Sequence, residues 1–130
     1  DKRLCIHIGE CGSANNELFV MGRDPWCSPD LVSQTEAADV VKRCPTGALT
    51  YTSKSAELED ETPAAENSCH VTNNGPYYLR GDIEIEGIPD DMPGVQFRVA
   101  LCRCGQSKNK PFCDNSHIDA GFTDRATRQI

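Results

Sequence analysis

The run Cys102-Arg103-Cys104, followed by Cys113 and His117, sets three thiols and one imidazole within sixteen residues. No other feature constrains the fold as tightly, because donors this close in sequence must be presented by a short loop that turns back on itself. Thiolates and a neutral imidazole select zinc or an iron–sulfur centre, and donor geometry has to decide between them because affinity alone does not. Zinc knuckles space their cysteines as C-x2–4-C, whereas the first pair here is C-x-C. The tighter spacing points to a cluster. A structural zinc ribbon, or a set of reduced, buried thiols, is the alternative.

The stretch from Leu101 to His117 reads Leu-Cys-Arg-Cys-Gly-Gln-Ser-Lys-Asn-Lys-Pro-Phe-Cys-Asp-Asn-Ser-His. It resembles the CDGSH iron–sulfur family in every ligand spacing. Gly75-Pro76-Tyr77-Tyr78-Leu79-Arg80-Gly81-Asp82 resembles the strand that opens that domain. The resemblance implies a 2Fe–2S cluster, with Cys102 and Cys104 on one iron and Cys113 and His117 on the other. Asn115 departs from the pattern, standing where the family has glycine. Asparagine is among the few residues that tolerate the left-handed backbone glycine supplies, so the turn is expected to survive at a cost of about 1 kcal/mol at most.

A second constellation lies near the start, in Cys5-Ile6-His7-Ile8-Gly9-Glu10-Cys11 and Arg43-Cys44-Pro45-Thr46-Gly47-Ala48-Leu49. Bacterial ferredoxins bind a cubane with C-x2-C-x2-C and complete it with a distant Cys-Pro. Ile8 occupies the middle cysteine position, and Asn15 stands where a cysteine for a second cluster would be. The segment resembles the divergent single-cluster ferredoxins. That resemblance implies a cluster on Cys5, Cys11 and Cys44: 3Fe–4S on three thiolates, or 4Fe–4S with a fourth ligand. Three ligands is the first reading, with His7 next as a fourth and Cys27 after it. Cys27 in Pro25-Trp26-Cys27 also reads as a small packed hydrophobe. The competing reading is a domain of buried thiols, since free Cys is among the most buried residue types.

Small domains bury too little apolar surface for comfortable stability, and bound metal can supply what the core lacks. At 130 residues, 38% hydrophobic and 6% aromatic, this chain fits that case. Its eight cysteines could form a disulfide framework, but the clustered spacings explain all except Cys69 by ligation or proximity to it. Neither a signal peptide nor an apolar run of about eighteen residues is visible, so a reducing cytoplasm and no membrane are expected. The chain opens at Asp1, close before Cys5, and a strand upstream of the first ligand is expected to have been removed.

The net charge of −7 lies mostly in the first half, peaking at Glu57, Glu59, Asp60, Glu61 and Glu66. Such a run reads as a solvated loop, and the acidic balance argues against nucleic acid. Arg98, Arg103, Lys108 and Lys110 gather near the C-terminal motif. They are read as compensation for a thiolate-bound cluster, ahead of docking charge for an acidic partner.

Ser33-Gln34-Thr35-Glu36 is a capping box opening a helix through Ala37, Val40, Val41 and Cys44, stopped by Pro45. A short helix is expected over Ala14 to Leu18, and a Gly-Arg-Asp turn between Phe19-Val20-Met21 and Pro25-Trp26-Cys27. A strand is expected over Ala48 to Thr52. Alternation predicts strands over Tyr77 to Ile85 and Phe97 to Leu101, joined through the turn-rich stretch Ile88 to Gly94, and a short helix from Asp114 through Ala120 with Asp114 as cap. The expected class is α+β: a small ferredoxin-like sandwich over 1–52, an acidic linker over 53–67, and a β-rich CDGSH-type domain over 68–130.

Neither a nucleophile beside a base nor a phosphate-cradling glycine loop is legible, so an independent enzyme is not expected. The function read from the sequence is a one-electron carrier relaying between redox partner proteins. The alternative is a redox- or pH-gated cluster donor or sensor serving apo iron–sulfur acceptors, with a structural zinc protein third. The resemblance leaves a homodimer open.

Overall fold

The structure is a computed structural model that describes residues 3–14, 17–20, 22–54, 56–91 and 97–126. Asn15, Met21 and the end of the expected turn at Met92-Pro93-Gly94 lie outside the described residues. The chain divides into two compact units, one of Asp1–Ile6, Pro45–Ala48 and Thr62–Ile130, the other of His7–Cys44 and Leu49–Glu61.

The first unit is built on a three-stranded antiparallel sheet of β1 (Ser68–Val71), β2 (Tyr77–Arg80) and β3 (Arg98–Leu101), in that order. In register, Val71 faces Tyr77, and Tyr77 faces Leu101. β1 was not expected, yet Asn74-Gly75 in the connecting loop is a strong hairpin signal. Asn74 does adopt positive φ, at 56°. The strand expected to continue to Ile85 ends at Arg80. There Gly81 takes φ 136° and the chain presses so closely on Asn67 that a Cβ would collide with it. Asp82 N–H then donates to Asn67 Oδ1 at 2.9 Å.

Apolar residues of β3 and its surroundings make the core of this unit. Val99 is 0% and Phe112 1% exposed, and burying each side chain is worth about 1.5–3 kcal/mol. Ile6, Ala100 and Cys113 pack together with Tyr78 alongside. The mixed α+β class expected from the sequence is the class observed.

The second unit centres on Leu18, Phe19 and Val40. Its main helix is α2 (Gln34–Lys42); α1 (Glu10–Ala14) precedes it. The first helix therefore lies ahead of the expected Ala14–Leu18 span and carries Cys11. Phe19 and Cys27 form an antiparallel bridge, and Arg23 in the turn donates to the carbonyls of Glu17, Leu18, Pro25 and Trp26. Trp26 stacks on Phe19 with ring centroids 4.9 Å apart. The strand expected over residues 48–52 does not form, since among the described residues no ladder runs along them.

The capping box closes as expected. Glu36 N–H donates to Ser33 Oγ at 3.1 Å, and Ser33 N–H donates to a Glu36 carboxylate oxygen at 3.3 Å. Ser33→Ala removes an acceptor from an otherwise unpaired helical N–H, and the expected loss is about 1 kcal/mol. A lowered denaturation midpoint with an unchanged slope checks it.

Candidate metal centre

Strand β3 delivers Cys102 directly, and the chain turns back so that Pro111 to Cys113 runs antiparallel to the strand end. Cys102 N–H donates to the Pro111 carbonyl, and Cys113 N–H to the Ala100 carbonyl, both at 2.9 Å. Leu101 and Phe112 bridge between them. Inside the turn, the Ser107 hydroxyl donates to the Phe112 carbonyl at 2.6 Å and accepts from Asn109 N–H at 3.0 Å. Asp114 accepts from Lys108 N–H at 2.9 Å and from Ser116 N–H at 3.0 Å. Burial raises the Asp114 carboxyl, but hydrogen bonds from Ser116 and from Lys108 outweigh it and hold the group below the usual carboxylate range.

A short helix, α3 (Ser116–Asp119), then presents His117. It is briefer than expected, and its cap residue is Asn115 rather than Asp114. Asn115 sits in the left-handed region at φ 69°, the conformation for which a glycine would be chosen. Asp114 still braces the first turn through Ser116.

The donors meet in twos. Cys102 Sγ and Cys104 Sγ lie 3.9 Å apart, and Cys113 Sγ and His117 Nδ1 lie 3.6 Å apart. Two sulfurs on one tetrahedral metal, each bonded at about 2.3 Å, stand about 3.8 Å apart, and a sulfur with an imidazole nitrogen at about 2.0–2.1 Å stands about 3.6 Å from it. Each pair therefore has the span needed to chelate one ion. Among the described residues no group of three His, Cys, Asp or Glu side chains gathers as a single ion would require. The donor chemistry and the spans of the two pairs fit an iron–sulfur group.

Main-chain N–H groups reach the sulfurs as well, from Gln106 to Cys104 at 3.3 Å and from Asn115 to Cys113 at 3.5 Å. Burial raises the Cys102 thiol, but backbone N–H groups of Ser107 and Gly105, the Cys104 thiol and the Lys110 charge together bring it below the ordinary value. Burial pushes the Cys113 thiol up against the opposing Asn115 N–H, and the charges of Asp114, Cys102 and Cys104 add to the rise. Tyr78, half-buried over the same spot, is pushed up to about 12, first by burial and then by the charge of Cys113.

Between the first two ligands, Arg103 points elsewhere. Its guanidinium donates to the carbonyls of Gly75 at 2.8 Å and Thr72 at 2.7 Å, pairs with Asp124 at 2.7 Å, and lies over the rings of Tyr77 and Phe122. From the sequence it read as compensating charge, ahead of docking charge. The structure makes it the tie between the ligand loop, the β1–β2 turn and the C-terminal segment.

The N-terminal candidates are spread over both units. Cys5 is exposed in the first. In the second, His7 is exposed with φ 56°, Cys11 and Cys27 are half-buried against the Leu18, Phe19 and Val40 core, and Cys44 is buried just past the end of α2. Cys69 sits half-buried in β1 opposite Leu79.

The two thiols of opposite displacement give a direct check. In the metal-free chain, a thiolate-selective alkylating reagent is expected to label Cys102 before Cys113 as pH rises toward the ordinary thiol value of about 8.5. Equal labelling at each pH, read by mass spectrometry of the peptides, would contradict the loop geometry.

Comparison with known proteins follows the same division. The family described as "Iron-binding zinc finger CDGSH type" matches residues 74–118, and the family described as "Divergent 4Fe-4S mono-cluster" matches residues 1–54. The chain is also 41% identical over 51 residues to "Uncharacterized protein YjdI" of Escherichia coli K12, covering 39% of this chain and 67% of that protein. The same protein of Escherichia coli O157:H7 matches with the same identity and coverage. With paired donors at chelating distances and two iron-binding families along its length, the chain belongs to the CDGSH family over its C-terminal segment and to the divergent 4Fe–4S mono-cluster family over its N-terminal one, and it is an iron–sulfur protein.

Proposed function

We propose that the protein is a one-electron carrier rather than an enzyme, holding a 2Fe–2S cluster on Cys102, Cys104, Cys113 and His117 and a second cluster on Cys5, Cys11 and Cys44. The observation that carries this reading is the meeting of the C-terminal donors in two chelating pairs. A 2Fe–2S centre asks for two protein donors on each of two irons, whereas mononuclear zinc asks for four on one. The clusters supply reversible one-electron chemistry. The chain supplies hydrogen bonds to the sulfurs, burial on the Cys113 side and the Lys110 charge, which are among the levers that set a cluster's potential.

For the N-terminal centre, the match to a divergent 4Fe–4S mono-cluster family favours 4Fe–4S over 3Fe–4S, and a cubane on three thiolates takes a fourth donor. His7 is the better candidate. It is exposed in the loop between Cys5 and Cys11, where His7 and Gly9 both adopt positive φ, the kind of turn that aims main-chain N–H groups at anionic clusters. Cys27 is instead held in an antiparallel bridge with Phe19. The partners are redox proteins on either side of the relay.

One observation favours the donor or sensor alternative. Cys113 is buried, but His117 comes from a four-residue helix whose next residue, Ile118, is 67% exposed. Within the Cys113–His117 pair, the half-buried imidazole is thus the ligand an apo iron–sulfur acceptor could reach.

Purified from iron-replete cells, the protein is expected to hold acid-labile sulfide and about six irons, or about five with a 3Fe–4S centre. About two irons would leave the C-terminal centre alone, and stoichiometric zinc without sulfide would overturn both. The N-terminal EPR signal should develop on reduction and be lost in His7→Ala. A signal already present in the oxidised protein, and unmoved by that substitution, would return the centre to three ligands.

Replacing His117 by Cys adds a negative donor, and the potential of the C-terminal centre is expected to fall by on the order of 100 mV or more, as all-Cys centres fall below Rieske-type ones. Release to an apo-ferredoxin separates the two roles. A His117→Cys protein that still exchanges electrons with a reductase but no longer loads the acceptor supports the donor, and one that does both supports the carrier.

A further inference from the structure

Asn115 stands where the matching family has glycine, and its side chain has found a use. A left-handed residue with a side chain is strained relative to glycine. Asparagine at a helix start would ordinarily use its side-chain oxygen as a cap, yet no such bond forms at α3. Instead Asn115 Nδ2 donates to the Ile6 carbonyl at 2.6 Å, across 109 positions of chain. The same residue's main-chain N–H rests on Cys113 Sγ at 3.5 Å. One residue therefore touches a ligand of the C-terminal centre with its backbone and the N-terminal segment with its amide.

The rest of that segment is held in the same way. Asn109 Nδ2, from the ligand turn, donates to the Arg3 carbonyl at 2.8 Å, and the Arg3 guanidinium reaches the Asp91 carbonyl. Leu4 and Ile6 are 3% and 5% exposed, while Cys5 between them faces outward. Ile6 packs directly on Ala100 and Cys113. Residues 3–6 are thus laid against the C-terminal ligand turn by two asparagine amides and the Ile6 side chain, with Cys5 presented from that base.

We propose that Asn115 is a positioning residue that couples the two iron–sulfur sites, fixing the Cys5-bearing segment against the Cys113–His117 turn so that ligation at Cys5 is felt at the C-terminal centre. The inference rests on the two-centre reading above. Glycine at this position would give the turn but not the coupling.

Asn115→Gly is the decisive variant, because it keeps the left-handed backbone and the N–H on Cys113 and removes only the amide. In the full iron-loaded chain it should retain the iron and sulfide of the native protein. Main-chain amides at residues 4–6 should exchange with deuterium about fivefold faster, the equivalent of one lost hydrogen bond. Asn115→Asp, which matches the side chain's size but cannot donate to a carbonyl, should show the same increase.

The coupling is read by adding Cys5→Ser. In the native background this should speed the decay of the C-terminal absorbance in excess chelator severalfold, and in the Asn115→Gly background it should change the decay much less. Unchanged exchange in both Asn115 variants, or an equal effect of Cys5→Ser in the two backgrounds, overturns the proposal. A native chain holding only about two irons brings down the two-centre reading and the coupling together. A full iron complement with equal Cys5→Ser effects sinks the coupling alone.

Discussion

Two main-chain hydrogen bonds underlie the centre: Cys102 N–H to Pro111 and Cys113 N–H to Ala100. They fold the ligand turn back along β3 as though it were one more strand, which is why Arg98, Val99 and Ala100 are all buried although β3 ends the three-stranded order. Buried main-chain groups must find partners. Once these are paired, the first and third cysteines stand two rungs apart, on either side of the Leu101–Phe112 pair, and Phe112 is buried in the core. The C-x-C spacing places Cys104 just past the ladder, and the tight turn through Asp114 and Asn115 brings His117 round to Cys113.

Electrostatics then acts unequally on the two sides. The Cys102 side is the more exposed, receives several N–H groups and feels Lys110; the Cys113 side is buried and feels the other thiols. One thiol is displaced downward and the other upward within a single loop. That asymmetry belongs to the fold and does not require a bound group. Tyr78 shares it, since its phenol is raised partly by Cys113.

Much of this was legible because ligand chemistry is written in residue identity and spacing. The four C-terminal donors, the capping box at Ser33 and the left-handed turn at Asn115 all follow from local rules. What escaped was set by approach between distant segments. Tyr77 to Ile85 alternates well enough for one strand, but the pressure of Asn67 on Gly81 ends it early. Ala48 to Thr52 has strand composition, yet among the described residues it joins no sheet. Residues 3–6 read as the start of the N-terminal ferredoxin-like segment, yet they fall in the unit that holds the C-terminal turn, through asparagine contacts spanning more than a hundred positions. The β1 strand was within reach of sequence reasoning, because Asn74-Gly75 announces a hairpin.

Arg103 separates Cys102 from Cys104 and directs its guanidinium away from both sulfurs, into carbonyls of the β1–β2 turn and the Asp124 carboxylate. A two-ligand bite with a flexible residue in the middle would have to be ordered by the metal itself, and the entropy of ordering would count against affinity. With its middle residue anchored in the protein's own framework, the bite is set when the chain folds. Small metal domains commonly couple binding to folding. In this loop the two are partly separated, so an incoming iron meets a chelate that is already shaped.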